Sequence, residues 1–199
     1  VFPYQGGEAS GTVEHGQRVM PGAGVVINAL RRADDEGIKS CRVWPAIRGI
    51  RTDQTMACWG YDLGGESTPP DGDYLEVASG GEHNSARTEE GGLACWGGLN
   101  DYGELSPPEG YFTDVSSGWF HACAMTVDSR IRCWGADGVG QASPPDGTFK
   151  HLGIGFCHGC AVDTEGQMRC WGSDNFGQAS PPEGTWTAVA GGEFHSCGI

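Results

Sequence analysis

Residues 170–195 read CWGSDNFGQASPPEGTWTAVAGGEFH, and this stretch recurs with small changes through most of the chain. Three of its markers, Cys-Trp-Gly, Pro-Pro and a later His, each return every 37 or 38 residues over four copies. Three independent markers on one period indicate a repeat protein, and such a period is typical of solenoids and propellers. The marker positions are Cys58, Cys95, Cys133, Cys170; Pro69, Pro107, Pro144, Pro181; and His83, His121, His158, His195.

Each unit predicts short strands separated by turns. Residues 162–168 read VDTEGQM, which predicts two strands around a Glu-Gly turn, and Cys-Trp-Gly ends the second strand. Pro-Pro-Asp/Glu-Gly predicts the next turn, because Pro fixes φ and Gly accepts a positive φ. An aromatic residue, a short apolar strand and a Gly-rich bend complete the unit. The predicted fold is all-β: a propeller-like array of blades, each with three or four strands in about 37 residues and some with internal disulfides.

The four repeats occupy residues 46–199, whereas residues 1–45 do not follow the period. In this N-terminal segment only residues 25–30 read as a strand. We expect the segment to pack on or close the array by adding strands to its edge, or to act as a separate docking arm. The number of blades stays open between a five-blade ring, a truncated propeller and an open array.

The hairpin register predicts two disulfides. Cys123 precedes Cys133 by ten residues, and Cys160 precedes Cys170 by ten, so each pair falls on opposite positions of one hairpin. Opposite residues of an antiparallel pair lie close enough for a sulfur–sulfur bond. Each bond would contribute about 2–3 kcal/mol through loop closure. Because disulfides persist in oxidising compartments, we expect an extracellular or cell-surface location.

The same register leaves other cysteines without this pairing. It places Ser85 opposite Cys95 and Arg48 opposite Cys58. We expect Cys58 to pair with Cys197, which would join the C-terminal half-blade to an N-terminal strand of the same chain or of a neighbour. The pairing of three further cysteines stays open: Cys41, Cys95 and Cys157.

Composition and charge exclude several classes of protein. With 35 Gly and 11 Pro in 199 residues, a helical bundle is disfavoured. The 26 acidic residues outnumber the 12 basic ones, and a net charge of -14 argues against nucleic-acid binding and against docking on anionic membranes. No apolar run approaches about 18 residues, so no membrane span is predicted. Any signal peptide is expected to have been removed before Val1.

No motif predicts catalysis or a cofactor. The chain lacks Gly-x-Ser-x-Gly, His-Glu-x-x-His and a phosphate-binding loop, so we do not expect an enzyme. The repeated His could hold a metal, but hydrogen bonding to the next turn is the simpler interpretation. Zinc at residues 157–160 and calcium in the Asp/Asn loops are weaker alternatives, and no metal is expected. The repeated Trp are interpreted as core between blades rather than a stacking platform.

Aromatic residues in variable positions form the candidate protein-binding surface. They occur in the pair before each His or in the segment after each Cys-Trp-Gly. Aromatic side chains in loops are typical anchors of protein interfaces. The candidate residues are Trp119, Phe120, Phe156, Phe176, Phe194, Tyr61 and Tyr102.

Residues 118–121 (GWFH), 133–135 (CWG) and 140–141 (GQ), with their counterparts in the other units, resemble the regulator of chromosome condensation repeat family. The unit length is most similar to the short-blade branch that includes the second β-lactamase inhibitory protein. The resemblance covers residues 46–199 and implies a β-propeller without a catalytic centre, which binds partners through variable loops on one face. The family's propellers usually have seven blades, whereas four periods are visible here. A nuclear exchange-factor role is not expected, given the predicted disulfides and the acidic charge.

These observations predict a non-catalytic extracellular β-propeller that serves as an interaction or structural module, including self-assembly through an incomplete terminal blade. A secreted protein inhibitor or binder with one aromatic loop face is the first alternative. A glycan-binding propeller is the second. The partner is expected to be another protein, a second copy of this chain or a glycan.

Overall fold

The computed structural model describes residues 13–14, 17–19, 26–27, 47–50, 56–60 and 62–199. These residues form strands and turns, and they contain no helix that is long and apolar enough to cross a membrane. Near the N-terminus, β1 (Val13–Glu14), β2 (Gln17–Val19) and β3 (Val26–Ile27) form one antiparallel sheet. The strand predicted at residues 25–30 is thus present at Val26–Ile27.

From residue 47 onwards the strands form five antiparallel sheets in chain order, called blades 1 to 5. Blade 1 holds β4 (Ile47–Ile50) and β5 (Met56–Trp59); blade 2 holds β6 (Tyr74–Ser79), β7 (Asn84–Thr88) and β8 (Leu93–Trp96); blade 3 holds β9 (Phe112–Ser117), β10 (His121–Thr126) and β11 (Ile131–Gly135); blade 4 holds β12 (Phe149–Ile154), β13 (His158–Asp163) and β14 (Met168–Gly172); blade 5 holds β15 (Val189–Gly191) and β16 (Ser196–Gly198). The first strand of each of blades 2 to 4 contacts the first strand of the next blade. The predicted all-β, propeller-like array is confirmed.

The hairpin turns carry the backbone geometry that the sequence predicts. Gly91 and Gly166 have φ values of 87° and 86°, in the left-handed region that glycine adopts without strain. At the equivalent position of blade 3, Ser129 adopts φ 64°. The turn there is closed because the Thr126 amide donates to the Arg130 carbonyl over 2.8 Å. One turn type therefore fixes the register of all three hairpins.

The hydrophobic core lies between neighbouring blades. Phe149, Leu152 and Trp171 of blade 4 pack against Cys123 and Met125 of blade 3 in one buried cluster. Equivalent clusters join blade 2 to blade 3, and blade 1 to blade 2. Burying such a side chain stabilises a fold by about 1.5–3 kcal/mol. Each blade therefore needs its neighbour to cover its apolar face.

The tryptophan of Cys-Trp-Gly belongs to this core in blades 2 to 4, as predicted. Each indole is at most 8% exposed, and its Nε1 donates to a backbone carbonyl thirty residues earlier. A hydrogen bond to this buried N–H removes the cost of burying it unpaired. The pairs are Trp96 with Glu66 O, Trp134 with Glu104 O and Trp171 with Gln141 O. In blade 1, by contrast, Trp59 is 45% exposed.

Blades 3 and 4 each contain one disulfide. Cys123 is bonded to Cys133, and Cys160 to Cys170, with a Cα–Cα distance of 4.0 Å in each pair. Both bonds join directly opposite residues of a hairpin. In blade 2 the opposite pair is Ser85 and Cys95, with Cys95 Sγ 3.4 Å from Ser85 Oγ. The register derived from the sequence is therefore correct in all three hairpins.

The proposed link between Cys58 and Cys197 is not formed within this chain. Cys58, opposite Arg48 as predicted, packs against the core of blade 2, whereas Cys197 is an exposed thiol in blade 5. The two cysteines therefore belong to different sheets, Cys58 to blade 1 and Cys197 to blade 5. Cys41 lies outside the described residues.

A pair of carboxyl groups meets between blades 2 and 3. Burial, and then the neighbouring Asp114 carboxyl, raise the pKa of Glu76 well above its usual range. The Arg87 guanidinium, with Nε 3.4 Å from Glu76 Oε2, opposes this rise. A raised pKa favours a protonated Glu76 that can share its proton with Asp114.

The Ser85–Cys95 pair generates a prediction. Ser85→Cys should form a third disulfide with Cys95, because the two positions have the register that supports the other two bonds. Closing this ten-residue hairpin should stabilise the chain by about 2 kcal/mol. The measurement is a count of free thiols in denaturant, together with the melting temperature with and without reductant. Ser106→Cys, at an exposed loop position, is the control.

With the disulfide formed, Ser85→Cys should show one free thiol fewer than the unaltered chain, and its added stability should disappear on reduction. One free thiol more than the unaltered chain would show that the two sulfurs do not bond. Ser106→Cys should give one thiol more and no stabilisation.

Candidate functional site

Two sets of loops lie at the same end of the blades. The Ala136 amide donates to the Phe120 carbonyl over 2.7 Å, and the Ser173 amide donates to the Cys157 carbonyl over 2.8 Å. These bonds hold the segment after Cys-Trp-Gly beside the residue that precedes His. We call this surface the loop face; it comprises residues 80–82, 118–120, 155–157, 192–194, 97–104, 135–141 and 172–178. The opposite surface, with the hairpin turns at residues 89–92, 127–130 and 164–167, is the hairpin face.

A series of backbone hydrogen bonds connects successive blades on the loop face. The Gly81 amide donates to the carbonyls of Gly118 and Trp119, over 3.0 and 3.1 Å. The Trp119 amide donates to the Phe156 carbonyl over 3.0 Å, and the Phe156 amide to the Gly192 carbonyl over 3.1 Å. Equivalent residues of blades 2, 3 and 4 are therefore held beside one another.

Trp119 and Phe156 form the centre of a row of aromatic rings. Their ring centroids are 4.5 Å apart, a contact between blades 3 and 4. On one side Trp119 contacts Phe120 edge to face at 5.4 Å, and on the other Phe156 contacts Phe194 at 5.8 Å. These separations suit offset or tilted aromatic pairs.

Two rings from the second set of loops complete the row. Tyr102 lies 5.4 Å from Phe120, and Phe176 lies 5.3 Å from Phe194. Each ring of the row thus contacts the next. We call it the aromatic strip, and its order is Tyr102, Phe120, Trp119, Phe156, Phe194, Phe176.

The strip is accessible to solvent, most of all at its ends. Phe176 is 72% exposed and Tyr102 is 58% exposed. Phe194 is 45% exposed, and the two central rings are half-buried. A row of connected aromatic rings on a surface is a feature of interaction sites rather than of a finished core. Because its centre is packed, the strip presents a formed surface.

Six of the seven candidate binding residues therefore come together, and the seventh, Tyr61, lies outside the described residues. Val139 was not among the candidates, although it is 55% exposed and occupies the same repeat position as Tyr102 and Phe176. Alignment of the repeats would have identified Val139 as a candidate, but the candidates were restricted to aromatic residues.

A buried polar side chain holds each exposed tip in place. The Phe176 amide donates to Gln178 Oε1 over 2.8 Å, and the Tyr102 amide donates to Glu104 Oε2 over 2.9 Å. The side chains of Gln178 and Glu104 are 6% and 3% exposed. The loop backbone is therefore fixed while the side chain of the tip residue points away from the core. Gln141 occupies the same repeat position as Glu104 and Gln178. From the sequence, this position was noted only at residues 140–141, as part of the resemblance to the repeat family.

The aspartates of these loops are used inside the loops. Asp174 accepts the Ala179 amide at 2.8 Å and the Ser180 hydroxyl at 2.5 Å, and Asp137 makes the same two bonds to Ala142 and Ser143. The bond from Ser180, followed by the Ala179 amide, lowers the pKa of Asp174. In the described part of the chain, no group of three or more His, Cys, Asp or Glu could hold a metal ion.

Three of the four repeated histidines, His83, His121 and His158, lie buried beneath the loop face, whereas His195 is exposed. His158 Nε2 lies 2.9 Å from Ser196 Oγ in β16 of blade 5, so its partner lies on a strand of the next blade rather than on the next turn, where we expected it. His121 differs, because neither of its ring nitrogens meets a hydrogen-bond partner among the described residues. Burial, and then the neighbouring His83 and His158, lower the pKa of His121 to about 3. The imidazole of His121 is therefore neutral at physiological pH.

Comparisons with known proteins agree with this architecture. The model of the regulator of chromosome condensation (RCC1) repeat matches residues 112–141 and 149–178, which begin at the first strands of blades 3 and 4. These two units are thus similar to the RCC1 repeat, while membership of a short-blade branch stays a prediction. A search of curated proteins found no match.

Solved structures share the fold. The ectodomain of receptor kinase CR4 from Physcomitrella patens is 24% identical with a TM-score of 0.65, over 77% of this chain and 46% of that one. The CRINKLY WD40 ectodomain of receptor kinase ACR4 from Arabidopsis thaliana is 24% identical with a TM-score of 0.64, over 78% and 57%. Yeast RCC1 (Prp20), solved with Kap60, is 15% identical with a TM-score of 0.64, over 78% and 52%. The chain spans about half the length of these structures, and the likeness establishes the propeller fold.

The buried His121 generates a prediction about acid. The pKa of His121 is about 3 when folded and about 6.5 when unfolded, so the unfolded chain binds a proton first as pH falls. The neutral imidazole of His121 should therefore make its whole contribution to the free energy of unfolding above pH 6.5. That free energy should decrease as pH falls towards 4. His121→Gln should make this decrease shallower. The measurement is urea unfolding at several pH values between 4 and 7.

The unaltered chain, unfolded in the same buffers, is the reference. The comparison uses slopes, so a general loss of stability in His121→Gln does not affect it. An unaltered slope in His121→Gln would contradict the assignment.

Proposed function

We propose that this chain is a non-catalytic, protein-binding β-propeller module that acts outside the cell or at its surface. The observation that carries the proposal is the aromatic strip, six connected rings that run across blades 2 to 5 on the loop face. A binding surface of this kind explains why the repeat positions that build it vary while the positions beneath them recur.

The arrangement suits tight contact with a partner. Trp, Tyr and Phe bury a large apolar area with few rotatable bonds, and they are frequent at the centres of interfaces. The backbone bonds of Trp119 and Phe156 to neighbouring blades, and of the Phe176 amide to Gln178, fix the strip before binding. A surface that is already ordered loses less conformational entropy when a partner binds.

The disulfides of blades 3 and 4 support an extracellular location. Bonds of this type persist in secreted and surface proteins and are rare in the cytosol. The two plant structures with the same fold are receptor ectodomains. We extend this location to the present chain as part of the proposal.

Two other modes of action stay predictions. Self-association would use blade 5, in which β16 pairs with β15 and Cys197 is exposed, with residues 1–45 closing the array or docking on it. Glycan binding would use the aromatic rings as stacking platforms. The experiment below separates both from binding to a protein surface.

The prediction is that exposed rings of the strip are needed to capture the partner. The full chain and two variants, Phe176→Ala and Tyr111→Ala, are immobilised and exposed to extracellular fluid of the source organism. Tyr111 is 68% exposed on the hairpin face, so its loss is a matched control. Captured proteins are identified by mass spectrometry, and the purified partner is measured again by calorimetry.

Phe176→Ala should weaken binding at least ten-fold, a loss of about 1.4 kcal/mol, and Tyr111→Ala should leave it unchanged. Equal affinity of both variants would contradict the proposal. Loss of binding after the partner is deglycosylated would favour glycan recognition. Capture of this chain itself would favour self-association.

A further inference from the structure

In residues 62–199, basic side chains are confined to one of the two faces, while carboxylates occur on both. Residues 62–199 contain five Arg and Lys residues, and all five lie towards the hairpin face, while the loop face has none among its described residues. They are Arg87, Arg130, Arg132, Lys150 and Arg169.

Local contacts fix this placement. Arg130 lies in the hairpin turn of blade 3, where its Nε is 3.3 Å from Asp128. Arg132 donates to the Glu109 carbonyl at 3.1 Å, beside the Pro-Pro turn. Arg169 pairs with Asp163 at the hairpin end of β13, at 3.3 Å. The remaining two follow the same rule: Arg87 is next to the end of β7, and Lys150 reaches towards the turn at Gly166.

The loop face carries carboxylates along the aromatic strip. Glu82 follows Gly81, whose backbone lies against the Trp119 indole, since a Cβ atom on Gly81 would be 2.8 Å from Trp119 Cδ2. Asp101 directly precedes Tyr102, and both Glu82 and Asp101 are exposed. Asp137 and Asp174 add negative charge from blades 3 and 4. The strip is therefore bordered by acidic groups, with no basic side chain on the described loop face to balance them.

Aromatic faces beside carboxylates have a defined chemical preference. A cation over a Trp, Tyr or Phe ring is attracted by the negative face of the ring, and a carboxylate nearby adds a direct charge interaction. Guanidinium groups satisfy both, because they stack flat on a ring and donate two parallel hydrogen bonds to a carboxylate. An acidic or phosphate-bearing partner would be repelled by the same groups.

From this juxtaposition we propose that the aromatic strip binds an extended, arginine-containing segment of a partner protein, with its guanidinium groups stacked on the rings and paired with Glu82 and Asp101. This rests on the proposed function, since it names the chemistry of the partner at the same surface. The net charge of -14 would attract such a segment and speed its association. The row of rings across four blades favours an extended segment over a single small cation.

The test uses synthetic peptides, so it does not depend on identifying the natural partner. The probe is a fluorescein-labelled peptide of alternating Arg and Gly, about twelve residues long, which at about 3.4 Å per residue is long enough to cross three blades. Peptides with Lys or Glu in place of Arg are compared with it. Binding to the full chain is measured by fluorescence anisotropy in about 50 and about 200 mM NaCl.

Two pairs of variants separate the site from general charge attraction. Glu82→Gln with Asp101→Asn removes two carboxylates beside the strip. Glu165→Gln with Glu183→Gln removes two exposed carboxylates from the hairpin face and changes the net charge equally. Trp119→Ala removes the central ring, and its fold is checked by the retained disulfides and by its circular dichroism spectrum.

The Arg peptide should bind at least ten-fold more tightly than the Glu peptide, and also more tightly than the Lys peptide. The Glu82/Asp101 double variant and Trp119→Ala should each weaken Arg-peptide binding about five-fold or more, and salt should weaken it further. The Glu165/Glu183 double variant should bind like the unaltered chain. Absence of Arg-peptide binding, equal weakening by both double variants, or unchanged binding by Trp119→Ala would overturn the inference.

Failure of this inference is distinct from failure of the proposed function. Suppose that the Phe176→Ala variant fails to bind the natural partner, but the Arg peptide does not displace this partner from the unaltered chain. The strip then binds proteins, and the inferred partner chemistry is wrong. If the Phe176→Ala variant binds the natural partner as tightly as the unaltered chain does, the strip is not the protein-binding surface.

Discussion

Close approach of neighbouring blades at glycine is the constraint on which the rest of the structure depends. A Cβ atom on Gly118 would collide with the ring of His121 in its own blade and would lie 2.5 Å from the Gly155 carbonyl of the next. The same is true of Gly155, whose added Cβ would meet His158 and lie 2.5 Å from the Gly192 carbonyl. Because these sites have no side chain, the blades come close enough for backbone hydrogen bonds between them.

That spacing also builds the candidate site. The Trp119 amide bonds to the Phe156 carbonyl of the next blade, so two side chains 37 residues apart in the sequence lie with their rings 4.5 Å apart. The recurring Gly, His and Trp hold the scaffold, while the positions beside them differ between units and are free to carry a binding surface. Loops on a rigid scaffold are where binding residues are expected, and here the scaffold also determines their order.

Features within one repeat could be predicted from the sequence, and features between repeats could not. The bond of Cys123 to Cys133 follows from a hairpin register that one turn determines, and the buried Trp171 follows from its fixed place after the strand. The contact of Glu76 with Asp114 and the unpartnered ring nitrogens of His121 depend on the distance and rotation between blades, which a period of 37 residues does not encode. The aromatic residues were identified from their variable positions in the repeats. That their rings contact one another in a single row depends on how the blades pack, which the sequence does not show. The expected bond of Cys58 to Cys197, either within the chain or to a neighbouring copy, is not formed within the chain.

Thermal unfolding of Gly118→Ala beside Gly138→Ala tests the central constraint most directly. A methyl group added at Gly138 would meet no other atom within 4 Å, so this substitution should leave the melting temperature unchanged or slightly raised. Gly118→Ala should force the blades apart at a cost of about 1–3 kcal/mol and lower the melting temperature by about 3–10 °C. If Gly118→Ala melts together with Gly138→Ala, close approach at this glycine does not hold the blades together.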